Sequence, residues 1–208
     1  MKRQIAVLGL FSALALLAFA NVFDYDNDPG GGYQFYFRGN VNRLVLDDIV
    51  RATDLPVKQI NVVVFNNSGA AQSIDVVVYD ADPVTGAVGN LLATANFASV
   101  PTGLSQLQVA GGPGFLAGKQ NLWIGVRAPV NLFGMVMSPN PYPTIGSSQD
   151  LFAWDQNGDG TIGSAEYFWF GGNPVANFAI EVMVPEPASM IALGTGLASL
   201  LALRRRKR

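Results

Sequence analysis

The stretch Ile60-Asn61-Val62-Val63-Val64-Phe65-Asn66-Asn67-Ser68-Gly69 indicates the fold of this chain more clearly than any other. Ile60, Val62 and Val64 alternate with their neighbours, which is the period of a β-strand that buries one face. The run 62–65 is apolar on both faces, as expected for a central strand that is covered on both sides. We therefore expect residues 57–65 to form a strand inside an all-β domain.

Turn residues and further alternating runs follow this strand. Residues 66–69 are typical of a hairpin turn, and residues 74–79 continue the alternation directly after it. Alternation also marks the segments around Ile124 and Ile180. Further strand candidates, separated by Gly- and Pro-rich turns, are residues 33–38, 44–47, 91–97, 105–109, 132–137 and 166–170. About ten short strands predict one domain over residues 33–183, a β-sandwich of the jelly-roll type.

Composition excludes several kinds of chemistry. The 208 residues include no cysteine and no histidine, so disulfides, thiolate or imidazole metal sites and Cys or Ser-His nucleophiles are absent. Seven of the 13 basic residues lie at positions 2, 3 and 204–208. Residues 21–187 therefore hold six basic and all 15 acidic residues, a net charge of −9. This charge argues against nucleic acid or anionic lipid as a partner and suits divalent cations.

The first twenty residues have the three parts of a secretory signal peptide. Lys2 and Arg3 are positive, residues 5–19 are apolar, and Ala18-Phe19-Ala20 is a small-x-small cleavage site. We expect cleavage after Ala20, with an uncleaved N-terminal membrane helix as the alternative. The Asp-rich residues 21–32 are expected to form a flexible acidic leader.

The last twenty-five residues contain a second targeting segment. Val184-Pro185-Glu186-Pro187 is followed by an apolar run over residues 188–203 and by Arg204-Arg205-Arg206-Lys207-Arg208. Sixteen residues rise about 24 Å as a helix, which is short for a hydrocarbon core of ~30 Å. The five cations favour a cytoplasmic C-terminus. The order and size of these parts resemble the PEP-CTERM sorting tail of exported bacterial proteins, with Pro185, Glu186 and Pro187 as the sorting signature.

The resemblance to PEP-CTERM tails has consequences for location and partners. It implies an exosortase-type processing enzyme and a bacterium that makes extracellular polysaccharide. The protein would be held in the inner membrane by a transmembrane segment over residues 188–203, and after processing it would reach the cell surface or the medium. A permanent C-terminal anchor helix is the alternative.

One motif in the body points to metal chemistry. Asp155-Gln156-Asn157-Gly158-Asp159-Gly160-Thr161-Ile162-Gly163-Ser164-Ala165-Glu166 is similar to the twelve-residue calcium loop of EF-hands and dockerins. Gly160 stands where that loop turns sharply, and the aromatic residues after it favour a strand over an exiting helix. We therefore expect a lone structural Ca²⁺ loop between strands; a turn without metal is the alternative. The predicted metal ligands are Asp155, Asn157, Asp159, Thr161 and Glu166.

Weaker candidates lie elsewhere in the body. Asp47-Asp48 is either a carboxylate pair for metal or acid–base work or a hydrated strand end. The alternating acids of residues 24–28 are expected to be solvated, because Pro29 replaces the glycine that a calcium loop needs. Tyr33, Phe35 and Phe37 are expected on one face of a strand. These rings and the three tryptophans, at positions 123, 154 and 169, could stack on sugars, although core packing explains most such rings.

Three functions remain in order of preference. The first is a non-enzymatic protein of the cell surface or extracellular biofilm matrix, stabilised by Ca²⁺. The alternative is a carbohydrate-binding module for extracellular polysaccharide. A glycoside hydrolase or lyase comes third, because Glu166 and Glu186 have other predicted roles and Glu181 has no visible carboxylate partner.

Overall fold

Residues 21–186 are described by the computed structural model, and within this range the chain forms twelve β-strands and no helix. The strands are β1 (Asn21–Asp26), β2 (Tyr36–Phe37), β3 (Leu44–Val50), β4 (Gln59–Asn66), β5 (Gln72–Ala81), β6 (Val88–Val100), β7 (Gly103–Ala110), β8 (Asn121–Arg127), β9 (Phe133–Val136), β10 (Phe152–Trp154), β11 (Tyr167–Phe168) and β12 (Ile180–Pro185).

The strands build two antiparallel sheets. Sheet A has the order β1-β12-β4-β9-β2. Strand β7 pairs with the edge of β4 that β12 and β9 leave free. Strands β12 and β9 pair with successive halves of β4. Sheet B has the order β11-β10-β3-β8-β5-β6. The central position of β4 and β8 follows from their buried valine- and isoleucine-rich sequences.

One hydrophobic cluster joins the two sheets. Ile60, Val62 and Val64 of β4 contribute to it from sheet A, and Val76 and Ile124 contribute from sheet B. This is the face that the alternation in residues 57–65 predicts. The fold is therefore all-β and sandwich-like, as the sequence predicts, while the jelly-roll subtype stays a prediction.

The predicted hairpin between residues 57–65 and 74–79 is wrong. Strand β4 lies in sheet A and β5 lies in sheet B, so the turn after Asn66 carries the chain from one sheet to the other. Asn66 holds this crossover: its Nδ2 donates to the carbonyls of Ala70 at 2.9 Å and Val100 at 3.0 Å, and its Oδ1 accepts from Ser68 N at 3.0 Å. A turn-rich sequence does not distinguish a hairpin from such an arch.

The predicted flexible leader is also wrong for its first half. Residues 21–26 form β1, which pairs antiparallel with β12 along its length apart from one irregularity after Phe23. Asp24 and Tyr25 are buried. The acidic sequence suggests solvated chain, but in the fold its aspartates bind specific protein partners instead of water. The strand is therefore not apparent from the sequence.

Two boundaries differ from the sequence prediction. Strand β10 is absent from the strand candidates that the sequence indicates. Of the expected strand 33–38, only Tyr36–Phe37 is regular. The predicted signal peptide over residues 1–20, Pro187 and the apolar segment 188–203 lie outside the described residues. Within residues 21–186 there is no helix of the length and apolarity that crossing a bilayer requires.

Candidate functional site

The predicted calcium loop connects β10 and β11, two strands that pair with each other at the edge of sheet B. The hairpin is closed at its base by Trp154 N, which donates to Glu166 O at 3.0 Å. Ile162 packs on a cluster that includes Leu44 and Trp123 on the outer face of sheet B. The loop therefore lies between strands, as the aromatic residues after it predict.

Each carboxylate of the loop accepts hydrogen bonds from the loop itself. Asp155 accepts from Gly158 N at 2.7 Å and Gly160 N at 3.0 Å. Glu166 reaches back across the loop and accepts from Gln156 N at 2.8 Å, Asn157 N at 3.0 Å and Gly163 N at 2.8 Å. These contacts close the loop from both ends.

The remaining predicted ligands lie on the exposed side of the loop. Asp159 Oδ1 accepts from Thr161 N at 2.8 Å and from its hydroxyl at 2.7 Å, and these bonds lower the pKa of Asp159. Asn157 Nδ2 donates to the other oxygen of Asp159 at 2.9 Å. Asp155 and Glu166 are buried, whereas Asn157, Asp159 and Thr161 are exposed.

The residue types of the loop 155–166 suit a calcium site, whereas the present orientations of their side chains do not. Gly160 has a φ of 83°, the left-handed conformation that the sixth position of such a loop needs. Asp155 and Glu166 are buried, and neither takes part in a salt bridge among residues 21–186. Over the same residues, however, no three acidic side chains converge in an arrangement that could hold a metal ion. A bound ion would have to replace hydrogen bonds that the carboxylates now accept.

A second candidate site lies on the outer face of sheet A. A groove of about 230 Å³ is lined by aromatic and aliphatic side chains from β2, β4, β7 and β9 and from the segment before β2. We call it the aromatic groove. Its lining residues are Tyr33, Gln34, Phe35, Tyr36, Phe65, Leu104 and Val136. Tyr36 and Phe65 lie with ring centroids 5.0 Å apart.

A row of polar side chains continues this face beside the groove. Gln106 Nε2 lies 3.3 Å from both Asp28 Oδ2 and Glu181 Oε2. Asn61 Nδ2 donates to Glu181 at 2.6 Å, and Gln59 Nε2 donates to Asn61 at 2.7 Å. The Tyr33 hydroxyl donates to Asp28 and thereby joins the row to the groove. We call these residues the polar row.

Sequence reasoning missed most of this face. Gln106 and Gln108 alternate with Leu107 and Val109, which marks the outer side of β7, but the pattern does not show which rings lie beside them. Tyr33 and Tyr36 belong to the outer cluster, whereas Phe37 packs into the core between the sheets. The prediction that Tyr33, Phe35 and Phe37 share a face is therefore wrong, because residues 33–35 do not continue β2.

The tryptophans have three different environments. Trp123 is buried on the outer face of sheet B, where its indole N–H donates to Gly86 O at 2.9 Å. Trp154 is half-buried and borders a shallow pocket that Phe37 and Arg38 also line. Trp169 is 65% exposed and lies just after β11. None of them lines the aromatic groove.

Asp47 and Asp48 do not form a hydrated strand end. Both are buried within β3, at 0% and 8% exposure. Burial raises the pKa of Asp47 well above its usual value, and the charge of Asp48 raises it further. Burial also raises the pKa of Asp48 to about 7, although hydrogen bonds from Gln149 N and the Ser148 hydroxyl lower it in part. In the described part of the chain neither carboxylate has a salt-bridge partner.

Comparison with known proteins identifies one segment of the chain. The PEP-CTERM protein-sorting motif matches residues 184–207, which begin at the penultimate residue of β12. No curated protein and no solved structure matches the chain. The predicted sorting tail is therefore confirmed, and it supports an exported protein processed by an exosortase-type enzyme. The likeness of residues 155–166 to EF-hand and dockerin loops stays a prediction.

Proposed function

We propose that this chain is a non-enzymatic protein of the bacterial cell surface or extracellular matrix, delivered there by exosortase-type processing of its tail. The PEP-CTERM motif carries the proposal. The geometry of the junction supports it: Pro185 ends β12 opposite Asn21 of β1, and Glu186 follows directly. The folded domain therefore runs directly into the signature, whose first residue, Pro185, is the last residue of β12.

The proposal is tested by the mass of the protein released from its native host. Replacement of Glu186 by Ala should leave the chain uncut and in the membrane fraction, because the signature then lacks its acidic group. Asp82→Ala is the matched control, since Asp82 is also acidic but lies in the distant β5–β6 turn. Recovery of surface protein that retains residues 188–208 would overturn the proposal.

Calcium forms the second part of the proposed function, with a structural role in the loop 155–166. The donor set and Gly160 support it, and the net charge of the body favours divalent cations. Asp155, Asn157, Asp159, Thr161 and Glu166 would hold the ion. Bound Ca²⁺ would supply positive charge to a loop that contains three carboxylates and would stabilise the β10–β11 hairpin.

The aromatic groove and the polar row favour carbohydrate as a second candidate function. Sugar rings present apolar faces that stack on aromatic rings, and their hydroxyls pair with planar amides and carboxylates. Tyr33, Tyr36 and Phe65 offer the first kind of contact, and Gln106 and Glu181 offer the second beside them. Extracellular polysaccharide is the ligand class that this surface would bind.

Retention on a polysaccharide gel tests this candidate. Tyr36→Ala should abolish the retardation of the protein in native electrophoresis through extracellular polysaccharide from the host. Trp169→Ala removes a more exposed ring outside the groove and should leave the retardation unchanged. Equal mobility of wild type and Tyr36→Ala, with folding verified by circular dichroism, would exclude the groove as the binding surface.

A further inference from the structure

The strongest unexplained feature of the described chain is a set of buried oxygens at the end of β1 and in the middle of β3. Tyr25 Oη, Asn27 Oδ1 and Asp47 Oδ1 are buried and have no hydrogen-bond partner among residues 21–186. All three residues are 0% exposed. A buried polar atom without a partner costs about 1–3 kcal/mol, and more if it is charged, so three together call for a common explanation.

Phe178 holds two of these side chains in place. Its neighbours bind to the β9 side, where Asn177 O accepts from Ser138 N and Ala179 N donates to Val136 O. The N–H and C=O of Phe178 therefore point away from β9. Asp47 Oδ2 accepts from Phe178 N at 3.0 Å, and Asn27 Nδ2 donates to Phe178 O at 3.2 Å. The side chains of Asp47 and Asn27 thus bind the backbone groups of Phe178 that a neighbouring strand would otherwise bind.

This arrangement fixes the chemistry of the atoms that are left over. Because Asn27 uses its Nδ2 on Phe178 O, its free atom is the carbonyl oxygen, which only accepts. The free atom of Asp47 is a carboxylate oxygen, which also only accepts when it is ionised. Asn27 Oδ1 and Asp47 Oδ1 therefore cannot satisfy each other. Each of them needs a donor or a cation, and the single proton of the Tyr25 hydroxyl can supply only one of them.

The Tyr25 hydroxyl belongs to the same cluster. Burial raises the pKa of Tyr25, the charges of Asp47 and Asp48 raise it further, and Ser148 and Asn27 lower it, so these side chains lie near its hydroxyl. Ser148 Oγ in turn lies 3.1 Å from Asp48 Oδ1 and 2.6 Å from Asn177 Oδ1. Oxygen is the only kind of acceptor present, and the two carboxylates supply the negative charge.

The charge of the cluster decides between a neutral and a cationic occupant. Two carboxylates are buried here, and in the described chain the only salt bridges are Arg51–Asp24 and Lys119–Asp80. Unpaired buried charges are strongly unfavourable, so two such carboxyls either take up protons or bind a cation. Hard cations such as Ca²⁺ prefer oxygen ligands and neutralise carboxylates. We propose that Tyr25, Asn27 and Asp47 form a buried binding site for a hard divalent cation of the Ca²⁺ type, separate from the loop 155–166.

Calcium content per chain tests the site. The full chain is purified in a mild detergent, equilibrated with Ca²⁺, passed through a desalting column and analysed for bound calcium. Asp47→Asn, which keeps the shape of the side chain, should lower the calcium content by one equivalent. Asp54→Asn, at an exposed position, is the control and should leave it unchanged. Equal content in wild type and Asp47→Asn would overturn the proposal and leave a protonated Asp47 or an internal water as the explanation of the three atoms.

A second variant keeps the test informative if the Asp47→Asn chain does not fold. Tyr25→Phe keeps the buried ring and removes only the hydroxyl. With a cation in the cluster, this variant should bind Ca²⁺ several-fold more weakly and melt at a lower temperature than wild type in Ca²⁺. Without one, removal of an unsatisfied hydroxyl should raise the melting temperature and leave calcium binding unchanged. Glu166→Gln, which affects the loop alone, should retain the equivalent that Asp47→Asn loses.

Discussion

Arg51 Nε donates to Asp24 Oδ2 at 2.7 Å in an ion pair that is buried on both sides. Asp24 Oδ1 also accepts from Thr53 N at 2.8 Å. The rest of the guanidinium donates to the carbonyls of Leu55, Leu116 and Lys119. Because Arg51 follows β3 directly and Asp24 lies in β1, the pair ties the first strand of sheet A to sheet B.

We expect Arg51→Met to lower the free energy of unfolding by about 3–5 kcal/mol, because Asp24 is then left buried and unpaired. Urea unfolding followed by tryptophan fluorescence measures this loss. Lys119→Met breaks the partly exposed pair with Asp80 and should cost no more than about 1 kcal/mol. A loss from Arg51→Met as small as that of the control would show that the ion pair does not hold β1 in place.

Millimolar Ca²⁺ should raise the melting temperature of the protein, and Glu166→Gln should reduce this rise. A ligand that binds only the native state stabilises it by about 2.7 kcal/mol at a hundredfold excess over Kd. The glutamine retains the shape of Glu166 but loses the charge that draws the ion. Calorimetry with Ca²⁺ and with chelator gives the difference, and Asp82→Asn serves as the control. If the rise is the same in Glu166→Gln and wild type, the loop is not a calcium site.

The stability of the polar row should depend on pH through Glu181. Burial raises the pKa of Glu181 above its ordinary 4.5, the Asn61 amide lowers it in part, and the charges of Asp28 and Asp26 raise it. The folded state therefore holds this proton more tightly than the unfolded state does. The contribution of Glu181 is fully present below about pH 4.5 and is lost as the pH rises through the raised pKa.

Replacement of Glu181 by Gln removes this titration while it keeps an oxygen for Asn61. The melting temperature of the variant, relative to wild type, should therefore increase as the pH rises from 4.5 towards neutrality. Asp75→Asn gives the comparison, since Asp75 is partly exposed and accepts a hydrogen bond from Asn96 between β5 and β6. A constant difference between Glu181→Gln and wild type over this range would contradict the assignment.

Gly125 should tolerate no side chain. It lies in the middle of β8, and a methyl group there would overlap the carbonyl oxygen of Val45 in the neighbouring strand β3. We expect Gly125→Ala to prevent folding or to lower the free energy of unfolding. The loss should be at least the ~1–3 kcal/mol that overpacking of a core costs. Gly112→Ala, with open space around it, should stay within about 1 kcal/mol of wild type. Circular dichroism and urea unfolding compare the two.

The alternation of Ile60, Val62 and Val64 predicts both a strand and its buried face, because period two is a local property. The same sequence does not predict which sheet the next strand joins. Asn66 also donates to Val100, which lies thirty-four residues away and is a partner that the local sequence does not indicate. Pairing partners of this range are fixed by the packing of the whole domain.

Prediction of the candidate sites has the same limit, because contacts between distant segments are not visible in the local sequence. The loop 155–166 is continuous in sequence, so its position between strands is predictable, whereas the direction of each carboxylate is not. The buried cluster joins Tyr25, Asn27 and Asp47 from distant segments. In the sequence these residues belong to a polar leader and an acidic dipeptide, and both are typical of solvated chain. Only the tertiary fold removes them from water.

The pairing of β1 with β12 connects the order of export with the completion of the fold. In the described chain β1 has no strand partner other than β12. A polypeptide that crosses a membrane from its N-terminus delivers β1 first and β12 last, so β1 lacks its strand partner until the whole domain has emerged. Pro185 reaches its place opposite Asn21 in that final step. Pro185, the first residue of the sorting signature, thus takes part in the strand pairing that completes sheet A.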